Sequence, residues 1–315
     1  MKIYNNADLN KRHCGGVIAI GNFDGVHLGH QKVIKEAKKI AKKKNLPIGA
    51  MTFEPVPVMF FNKKITNHRI NSLKQKKDQL ENLKLDFLII IKFNKKFSSL
   101  TAKEFIKKII NKKTKCKYLF ISKNFKFGFR RQGNIGTLKK FEKEFNYKNA
   151  VTKPYKKYDR IISSTFIRKK IRLGKIYETN KLLNRNWSIE GKVIKGQKRG
   201  RKIGFPTCNL KLNNYVIPKL GVYAVKVKTD YFNKNGIANI GYRPTFNGES
   251  LLLETNIFGI NRNLYNKVIE VSFKKFIRPE KKFKNLENLK KQIRLDRSEE
   301  RRVGKECRSR WSPYH

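Results

Sequence analysis

The chain has 315 residues, and its 75 lysines and arginines against 23 acidic residues give a formal net charge of +52. This length suffices for about two domains with hydrophobic cores, while the absence of a long apolar run or an apolar leader argues against a membrane span and a secretory signal. The four cysteines form no C-x-x-C pair, which predicts reduced thiols in a cytoplasmic protein.

The positive charge is spread along nearly the whole chain rather than gathered in one segment. A dedicated nucleic-acid site is usually clustered and richer in arginine. The composition therefore predicts a solvated lysine surface that attracts phosphorylated ligands. We expect no specific nucleic acid, no membrane and no obligate protein partner, and a basic nucleic-acid-binding protein stays as the alternative from another functional class.

The first half of the chain alternates short apolar runs with amphipathic segments. The predicted strands cover residues 16–20, 47–53, 87–93 and 118–122, and the predicted helices cover residues 31–44, 71–83 and 102–111. Thr101 is the expected N-cap of the third helix, with Glu104 completing a capping box. This order predicts an α/β fold with a mostly parallel sheet, in which ligands bind beyond the carboxyl ends of the strands.

The stretch 21-GNFDGVHLGH-30 lies where the first strand ends and the first helix begins. A helix N-terminus presents free N–H groups and a partial positive charge, so it attracts anions. His27 and His30 share one helical face, and we expect Gly29 to let a ligand approach the backbone. Two imidazoles there would hydrogen-bond a polyphosphate during transfer. The alternatives are a zinc site, a pair of structural histidines, and a histidine nucleophile or general base.

After residue 184 short extended runs dominate the sequence. The predicted strands cover residues 189–194, 222–228, 237–241, 251–257 and 268–273, and a last helix is expected over residues 286–295. The dipeptide Asn235-Gly236 predicts a hairpin turn. This pattern is typical of a small barrel or sandwich, so we predict two domains, residues 1–183 and residues 184–296.

The stretch 195-KGQKRGRKIGFPTCN-209 combines a glycine every fourth residue with basic side chains. Such a loop can surround phosphate groups with backbone N–H donors. Pro206 favours extended backbone, so Thr207 and Asn209 should point to the same side of a strand. Their oxygens suit a hard cation, such as the Mg²⁺ that would accompany ATP.

Four motifs of the first half together resemble the family of bacterial bifunctional riboflavin kinase/FAD synthetases. GNFDGVHLGH resembles its HxGH nucleotidyltransferase motif, and TFEP at 52–55, KNFKFG at 123–128 and SSTFIR at 163–168 resemble further motifs in the same order. The resemblance implies a Rossmann-like domain that adenylylates FMN with ATP, with His27 and His30 as catalytic residues on the ATP phosphates. The implied ATP and FMN contacts are Gly21, Asn22, Phe23, Asp24, Gly25, Asn124, Ser164, Thr165 and Arg168.

The second half resembles the riboflavin kinase module of the same family through GRKIGFPTCN, IGYRPTF and the strand LLETNIF. The resemblance implies an antiparallel β-barrel with a C-terminal helix, phosphorylating riboflavin to FMN. It makes Glu254 the base that takes the proton of the 5′-hydroxyl, with Thr207 and Asn209 on Mg²⁺; an ordinary outward glutamate is the alternative. The implied ATP and flavin contacts are Gly196, Lys198, Gly200, Arg201, Gly204, Phe205, Pro206, Thr207 and Asn209.

The chain departs from the family pattern at several positions. Val56 stands where a histidine is usual, so a riboflavin kinase with an impaired adenylyltransferase module is the alternative activity. Asn256 likewise replaces a usual histidine. Residues 297–315 are rich in arginine where the rest of the chain uses lysine, and they contain no asparagine or isoleucine. We predict that this tail is foreign to the native protein, with a basic C-terminal arm as the alternative.

Overall fold

The computed structural model describes residues 1–157, 160–196, 199–245, 248–260 and 262–309. The chain divides into two compact units, of which the first comprises Met1–Thr66 and Leu73–Ser164 and the second comprises Asn67–Ser72 and Thr165–His315. The boundary between the two domains near residue 183, which was inferred from the sequence, stays a prediction. No helix in the described part of the chain combines the length and the apolar character that crossing a membrane requires.

The first unit is built on a parallel sheet. Its strands are β1 (Lys2–Tyr4), β2 (Val17–Ile20), β3 (Ile48–Glu54), β4 (Phe87–Lys92), β5 (Tyr118–Ser122) and β6 (Lys148–Thr152), followed by the short antiparallel pair β7 (Lys156–Lys157) and β8 (Arg160–Ile161). The order in the sheet is β1-β4-β3-β2-β5-β6. From β2 the chain first builds the sheet on one side through β3 and β4, then returns to pair β5 on the other side. Ligands bind at such a switch point.

Helices cover both faces of this sheet, as the strand–helix alternation predicts. They are α1 (Leu28–Lys44), α2 (Pro57–Phe61), α3 (Leu73–Asn82), α4 (Lys95–Ser98), α5 (Ala102–Phe105) and α6 (Ile135–Lys140). The capping box of Thr101 and Glu104 is confirmed, although the predicted third helix continues beyond Phe105 as a π-helical segment, Ile106–Lys113. Strand β2 is buried on both sides, with Val17 packing in the core under α1 and Ile18 in the opposite core. Such two-sided burial fits a central parallel strand.

His13 is a buried histidine at the edge of this sheet. Its Nδ1 shares a hydrogen bond of 2.9 Å with the Tyr4 hydroxyl, and its ring stacks on Phe87 at 4.9 Å. Burial lowers the pKa of His13 from its ordinary 6.5; the carboxylate of Asp86 opposes this shift, and the cations of Arg12 and Lys2 add to it.

The lowered pKa makes the stability of the fold dependent on pH. Below about pH 6.5 the unfolded chain binds a proton at His13 that the folded chain does not bind. The contribution of neutral His13 to the free energy of unfolding is therefore complete above that pH, and it is lost as the pH falls through the folded pKa. We expect the melting temperature to fall less between about pH 7 and about pH 5 in His13→Gln than in the wild type. Circular dichroism at both pH values measures this, and an equal fall in the two proteins would contradict it.

The second unit contains an antiparallel barrel. Its helices are α7 (Ser164–Arg172), α8 (Ile176–Leu183), α9 (Arg199–Lys202) and α10 (Leu286–Ser309). Its strands are β9 (Ser188–Lys192), β10 (Cys208–Lys211), β11 (Gly221–Lys228), β12 (Asn233–Thr245), β13 (Gly248–Ile257) and β14 (Val268–Arg278), in the order β10-β13-β12-β11-β14-β9. The two outer strands approach each other where the Ile194 N–H donates to the Asn209 carbonyl at 2.9 Å. This bridge nearly closes the barrel, so the predicted architecture is confirmed.

The predicted hairpin turn at Asn235-Gly236 is wrong. Both residues lie inside β12, and the turn lies between β11 and β12, where the Thr229 hydroxyl accepts from the N–H groups of Tyr231 and Phe232, each at 3.1 Å. No side chain fits at position 236, because a Cβ there would lie 2.4 Å from the carbonyl oxygen of Asn256. The glycine therefore serves the close approach of two strands rather than a turn.

The last helix begins at the predicted Leu286 but extends past residue 295 to Ser309. Arg278 attaches it to the barrel, because its guanidinium donates to both carboxylate oxygens of buried Asp296 at 2.8 and 2.7 Å. Beyond that point the guanidinium of Arg297 lies over the Phe258 ring at 4.7 Å. The foreign origin of residues 297–315 stays a prediction, and residues 310–315 lie outside the described part of the chain.

Candidate functional site

A tight turn follows β2 at the switch point of the parallel sheet. The Val26 N–H donates to the Phe23 carbonyl at 3.2 Å, and the Gly21 N–H donates to the Met51 carbonyl in the middle of β3. Phe23, Gly25 and Val26 have φ angles of 46°, 85° and 37°. Only the glycine adopts such angles without cost, so the two apolar residues store backbone strain here, which is common at ligand sites.

The predicted histidine pair lies directly after this turn. His27 is the N-cap of α1, and its Nδ1 accepts from the backbone N–H of His30 at 3.4 Å. This contact assigns the proton of neutral His27 to Nε2, which makes that nitrogen a donor. The two rings stack with their centroids 3.7 Å apart, so both imidazoles lie together at the helix N-terminus, where an anion is favoured.

Gly29 also gives room to a neighbouring side chain, while the expected approach of a ligand to its backbone stays a prediction. A Cβ at this position would lie 3.0 Å from Cε1 of His27 and 3.3 Å from the Ile162 carbonyl oxygen. The small residue thus gives room to the His27 ring. Among the described residues no group of three histidine, cysteine or carboxylate side chains is arranged to hold a metal ion, so the zinc alternative gains no support.

Two distant segments hydrogen-bond the backbone of the turn. The Thr52 hydroxyl of β3 donates to the Asn22 carbonyl at 3.1 Å, and the Ser164 hydroxyl donates to the Asp24 carbonyl at 2.9 Å. The structure therefore brings the GNFDG, TFEP and SST motifs together. Lys76 of α3, which the sequence analysis missed, donates to the Thr52 hydroxyl at 3.4 Å and is fully buried. Its position on the apolar side of α3, between Leu73 and Leu80, was the available signal.

Asn124, Thr165 and Arg168 are the other residues implied for nucleotide binding. Asn124 is exposed in the turn after β5, at the same edge of the sheet as the turn after β2. Thr165 and Arg168 lie on α7 in the second unit. Arg168 is buried there and donates to Nε2 of His68 at 2.6 Å, a contact that the sequence analysis also missed.

A group of four phenylalanines lies beyond the ends of β3 and β4, half-buried except for the exposed Phe61; we call Phe60, Phe61, Phe93 and Phe97 the aromatic patch. The Phe60 ring contacts Phe61 at 5.2 Å and Phe93 at 5.3 Å, while Phe61 is 70% exposed. A contiguous group of partly exposed apolar rings is the kind of surface that can receive a ligand. Val56, at the position of the usual histidine, is buried and is the N-cap residue of α2, the helix that carries Phe60 and Phe61.

The second unit holds a cavity of about 1070 Å³ on the barrel. The predicted kinase residues that line it are Gly196, Gly200, Phe205, Thr207, Asn209 and Glu254. Apolar side chains, among them Leu252, Phe283 and Ile293, form part of its wall. Arg201 and Pro206 line smaller adjoining pockets, whereas Gly204, with φ 86°, is not among the described residues lining any of them. Lys198 lies outside the described residues.

Strand register brings the polar groups of this cavity into one row. Asn209 on β10 pairs with Glu254 on β13, and Glu254 pairs with Asn239 on β12. Paired residues of antiparallel strands project to the same face, and all three side chains line the cavity. Arg243 donates to one oxygen of Glu254, Oε2, through Nε at 3.1 Å and Nη2 at 3.0 Å. Within the described residues no hydrogen bond reaches the other oxygen, Oε1.

Asn209 of this row and the nearby Thr207 have side chains that fit a magnesium ion. Oδ1 of Asn209 is buried and has no hydrogen-bond partner within the described residues. The loop folds onto this strand because it carries glycines: a Cβ at Gly196 would lie 2.0 Å from Nδ2 of Asn209, and one at Gly200 would lie 3.2 Å from the Thr207 hydroxyl. An amide oxygen and a hydroxyl are ligands that Mg²⁺ accepts.

Comparison with known proteins gives matches along both halves of the chain. A family model described as FAD synthetase matches residues 9–166, and one described as riboflavin kinase matches residues 183–303. The chain is 42% identical over 294 residues to the bifunctional riboflavin kinase/FMN adenylyltransferase of Buchnera aphidicola subsp. Schizaphis graminum, covering 92% of this chain and 94% of that protein. It is 39% identical over 298 residues to the protein of the same name from Bacillus subtilis, covering 92% and 93%.

A solved structure resembles the whole chain. It is described as a macrolide-efflux protein from Streptococcus pneumoniae, and it has a TM-score of 0.84 and 31% sequence identity, covering 95% of this chain and 98% of that one. The likeness therefore extends over both units.

Proposed function

Because the chain belongs to the family of bifunctional riboflavin kinase/FMN adenylyltransferases and carries both activities, we propose which of its residues perform each reaction. Riboflavin is phosphorylated in the cavity of the second unit, with Glu254 as the base. The turn after β2, with His27 and His30, adenylylates FMN. The observation that carries the first assignment is the register that sets Asn209 opposite Glu254 within one cavity.

In the kinase reaction the apolar wall receives the flavin ring. Oε1 of Glu254 accepts the proton of the riboflavin 5′-hydroxyl while the 5′-oxygen attacks the γ-phosphorus of ATP. The bond from the γ-phosphorus to the bridging oxygen breaks, so that ADP leaves and FMN remains. Thr207 and Asn209 would hold Mg²⁺, which neutralises phosphate charge when bound. Among the described residues of the loop, the backbone N–H groups of Gly196, Gly200 and Arg201 would donate to the ATP phosphates.

In the adenylyltransferase reaction the FMN phosphate attacks the α-phosphorus of ATP, and pyrophosphate leaves. The attacking oxygen is already anionic, so no enzyme base is needed. The imidazoles of His27 and His30, with the N–H groups at the start of α1, stabilise the charge that develops on the phosphates. Asn124 contacts the nucleotide or FMN from the neighbouring strand end, and the aromatic patch receives the flavin ring by stacking.

A riboflavin kinase with an impaired adenylyltransferase is the second candidate. It is favoured by Val56, because a buried valine cannot donate a hydrogen bond where the family usually has an imidazole. In either case the ligands are the small molecules riboflavin, FMN, FAD and ATP. We also propose a cytoplasmic location, without a nucleic-acid, membrane or obligate protein partner, in keeping with the unpaired thiols of Cys14, Cys116 and Cys208.

Chromatography of the flavin products tests this assignment of activities. We expect the purified protein with riboflavin, ATP and Mg²⁺ to form both FMN and FAD, and to form FAD when it is given FMN directly. Omission of Mg²⁺ should stop both reactions. FMN without FAD would mean a silent adenylyltransferase site and would point to Val56, which Val56→His would then test. No flavin product from folded protein would contradict the proposal.

A further inference from the structure

The kinase cavity contains a second carboxylate, Glu280, just after the end of β14. Its Oε1 accepts from Nη1 of Arg243 at 3.0 Å and from Nδ2 of Asn239 at 2.9 Å. Both donors lie on β12, on either side of Gly241. A Cβ at Gly241 would lie 2.1 Å from the same oxygen. The strand therefore carries a glycine at the point where the Glu280 carboxylate rests on it.

Arg243 is consequently shared between two carboxylates. Nε and Nη2 donate to Oε2 of Glu254, while Nη1 donates to Glu280 and to the Tyr242 carbonyl at 2.9 Å. These contacts fix the guanidinium in one orientation. Arginine–carboxylate pairs otherwise favour a bidentate geometry that occupies both oxygens. Here the guanidinium contacts a single oxygen of Glu254 while it also contacts Glu280.

We propose that Glu280 is a positioning residue for riboflavin phosphorylation, which holds Arg243 so that Oε1 of Glu254 stays open to the 5′-hydroxyl. This inference rests on the proposed role of Glu254 as the base. If Glu280 loses its charge, Arg243 is attracted by Glu254 alone and can turn to cover both of its oxygens. The base is then blocked, although the cavity that binds riboflavin and ATP is unchanged in shape.

Steady-state kinetics of the full-length protein tests the proposal. In Glu280→Gln we expect kcat for riboflavin phosphorylation to fall about tenfold, with the KM values of riboflavin and ATP within about twofold of wild type. Gly241→Ala should act in the same direction, because the added Cβ displaces the Glu280 carboxylate without removing a charge. Glu287→Gln is the matched control, since Glu287 is 80% exposed on α10 and pairs with Lys290.

A double-mutant cycle separates positioning from an independent effect. Because Glu280 acts through Arg243, Glu280→Gln should have no further effect on kcat in the Arg243→Met background. An equal fall in both backgrounds, an unchanged kcat in Glu280→Gln, or a rise of KM alone would overturn the inference. A melting curve by circular dichroism reports the folding of both units, and if Glu280→Gln is unfolded, Gly241→Ala decides.

The same assays distinguish this inference from the assignment of the base. If Glu254→Gln keeps full kinase activity, the proposed function of Glu254 fails, and the role of Glu280 fails with it. If Glu254→Gln is inactive while Glu280→Gln and Gly241→Ala match the wild type, only the role of Glu280 fails.

Discussion

Replacement of Glu254 by glutamine is expected to lower riboflavin phosphorylation by about 10²- to 10⁴-fold, the usual contribution of a positioned base. Glutamine keeps the size of the side chain and can still accept from Arg243, but it cannot take the proton of the 5′-hydroxyl. The substitution leaves the cavity wall intact, so the KM of riboflavin should change little. The measurement is the initial rate of FMN formation, followed by chromatography at saturating ATP.

The loss should be confined to one reaction. FAD formation from supplied FMN should stay close to the wild-type rate in Glu254→Gln, because that reaction does not use the barrel cavity in our proposal. Glu287→Gln provides the same chemical change at an exposed position and should phosphorylate riboflavin normally. A rate of FMN formation within about tenfold of wild type in Glu254→Gln would show that another group acts as the base.

The second large effect is expected at the other site. His30→Gln should lower the formation of FAD from FMN by about 10²- to 10³-fold, as removal of a donor to a developing phosphate charge does in other enzymes. His30 is the cleaner choice of the two, because His27 is also the N-cap of α1 and its loss would cost about 1 kcal/mol of helix stability.

The control for this effect is another histidine of the same unit. His13→Gln removes an imidazole that contacts Tyr4 and Phe87, and it should adenylylate FMN at the wild-type rate near neutral pH. Riboflavin phosphorylation should be unchanged in both variants. An equal loss of FAD formation in His13→Gln and His30→Gln would indicate damage to the fold and would remove the support for a catalytic role of His30.

Local patterns predicted much of this molecule. Strands β2, β3, β4 and β5 and helix α1 were found within a few residues, because short apolar runs and helical periodicity mark them in the sequence. The sequence motif around His27 and His30 also lies where a strand ends and a helix begins. The hairpin signal at Asn235-Gly236 failed because turn preference is local, whereas Gly236 is held in β12 by its pairing with Val225 and Ile257.

Contacts between distant segments could not be read from the sequence. Arg243, Glu254 and Glu280 meet because β12 and β13 pair in one register and because the chain after β14 returns over β12. Nothing in the local pattern of any of these segments indicates that meeting. The contact of Lys76 with Thr52 joins α3 to β3 and could not be read either, although the position of Lys76 on the apolar side of α3 indicated its burial.

The row formed by Asn209, Glu254 and Asn239 has a consequence for how this enzyme can change during evolution. Side chains of a strand alternate between its two faces, so one extra residue in β13 before Glu254 would turn that carboxylate into the barrel interior and bring an apolar neighbour, Leu253, to the cavity. Substitutions in β13 act one position at a time, whereas an insertion there exchanges every cavity-facing residue of that strand at once. We therefore expect changes in chain length to be tolerated in the loops between the strands rather than within β13.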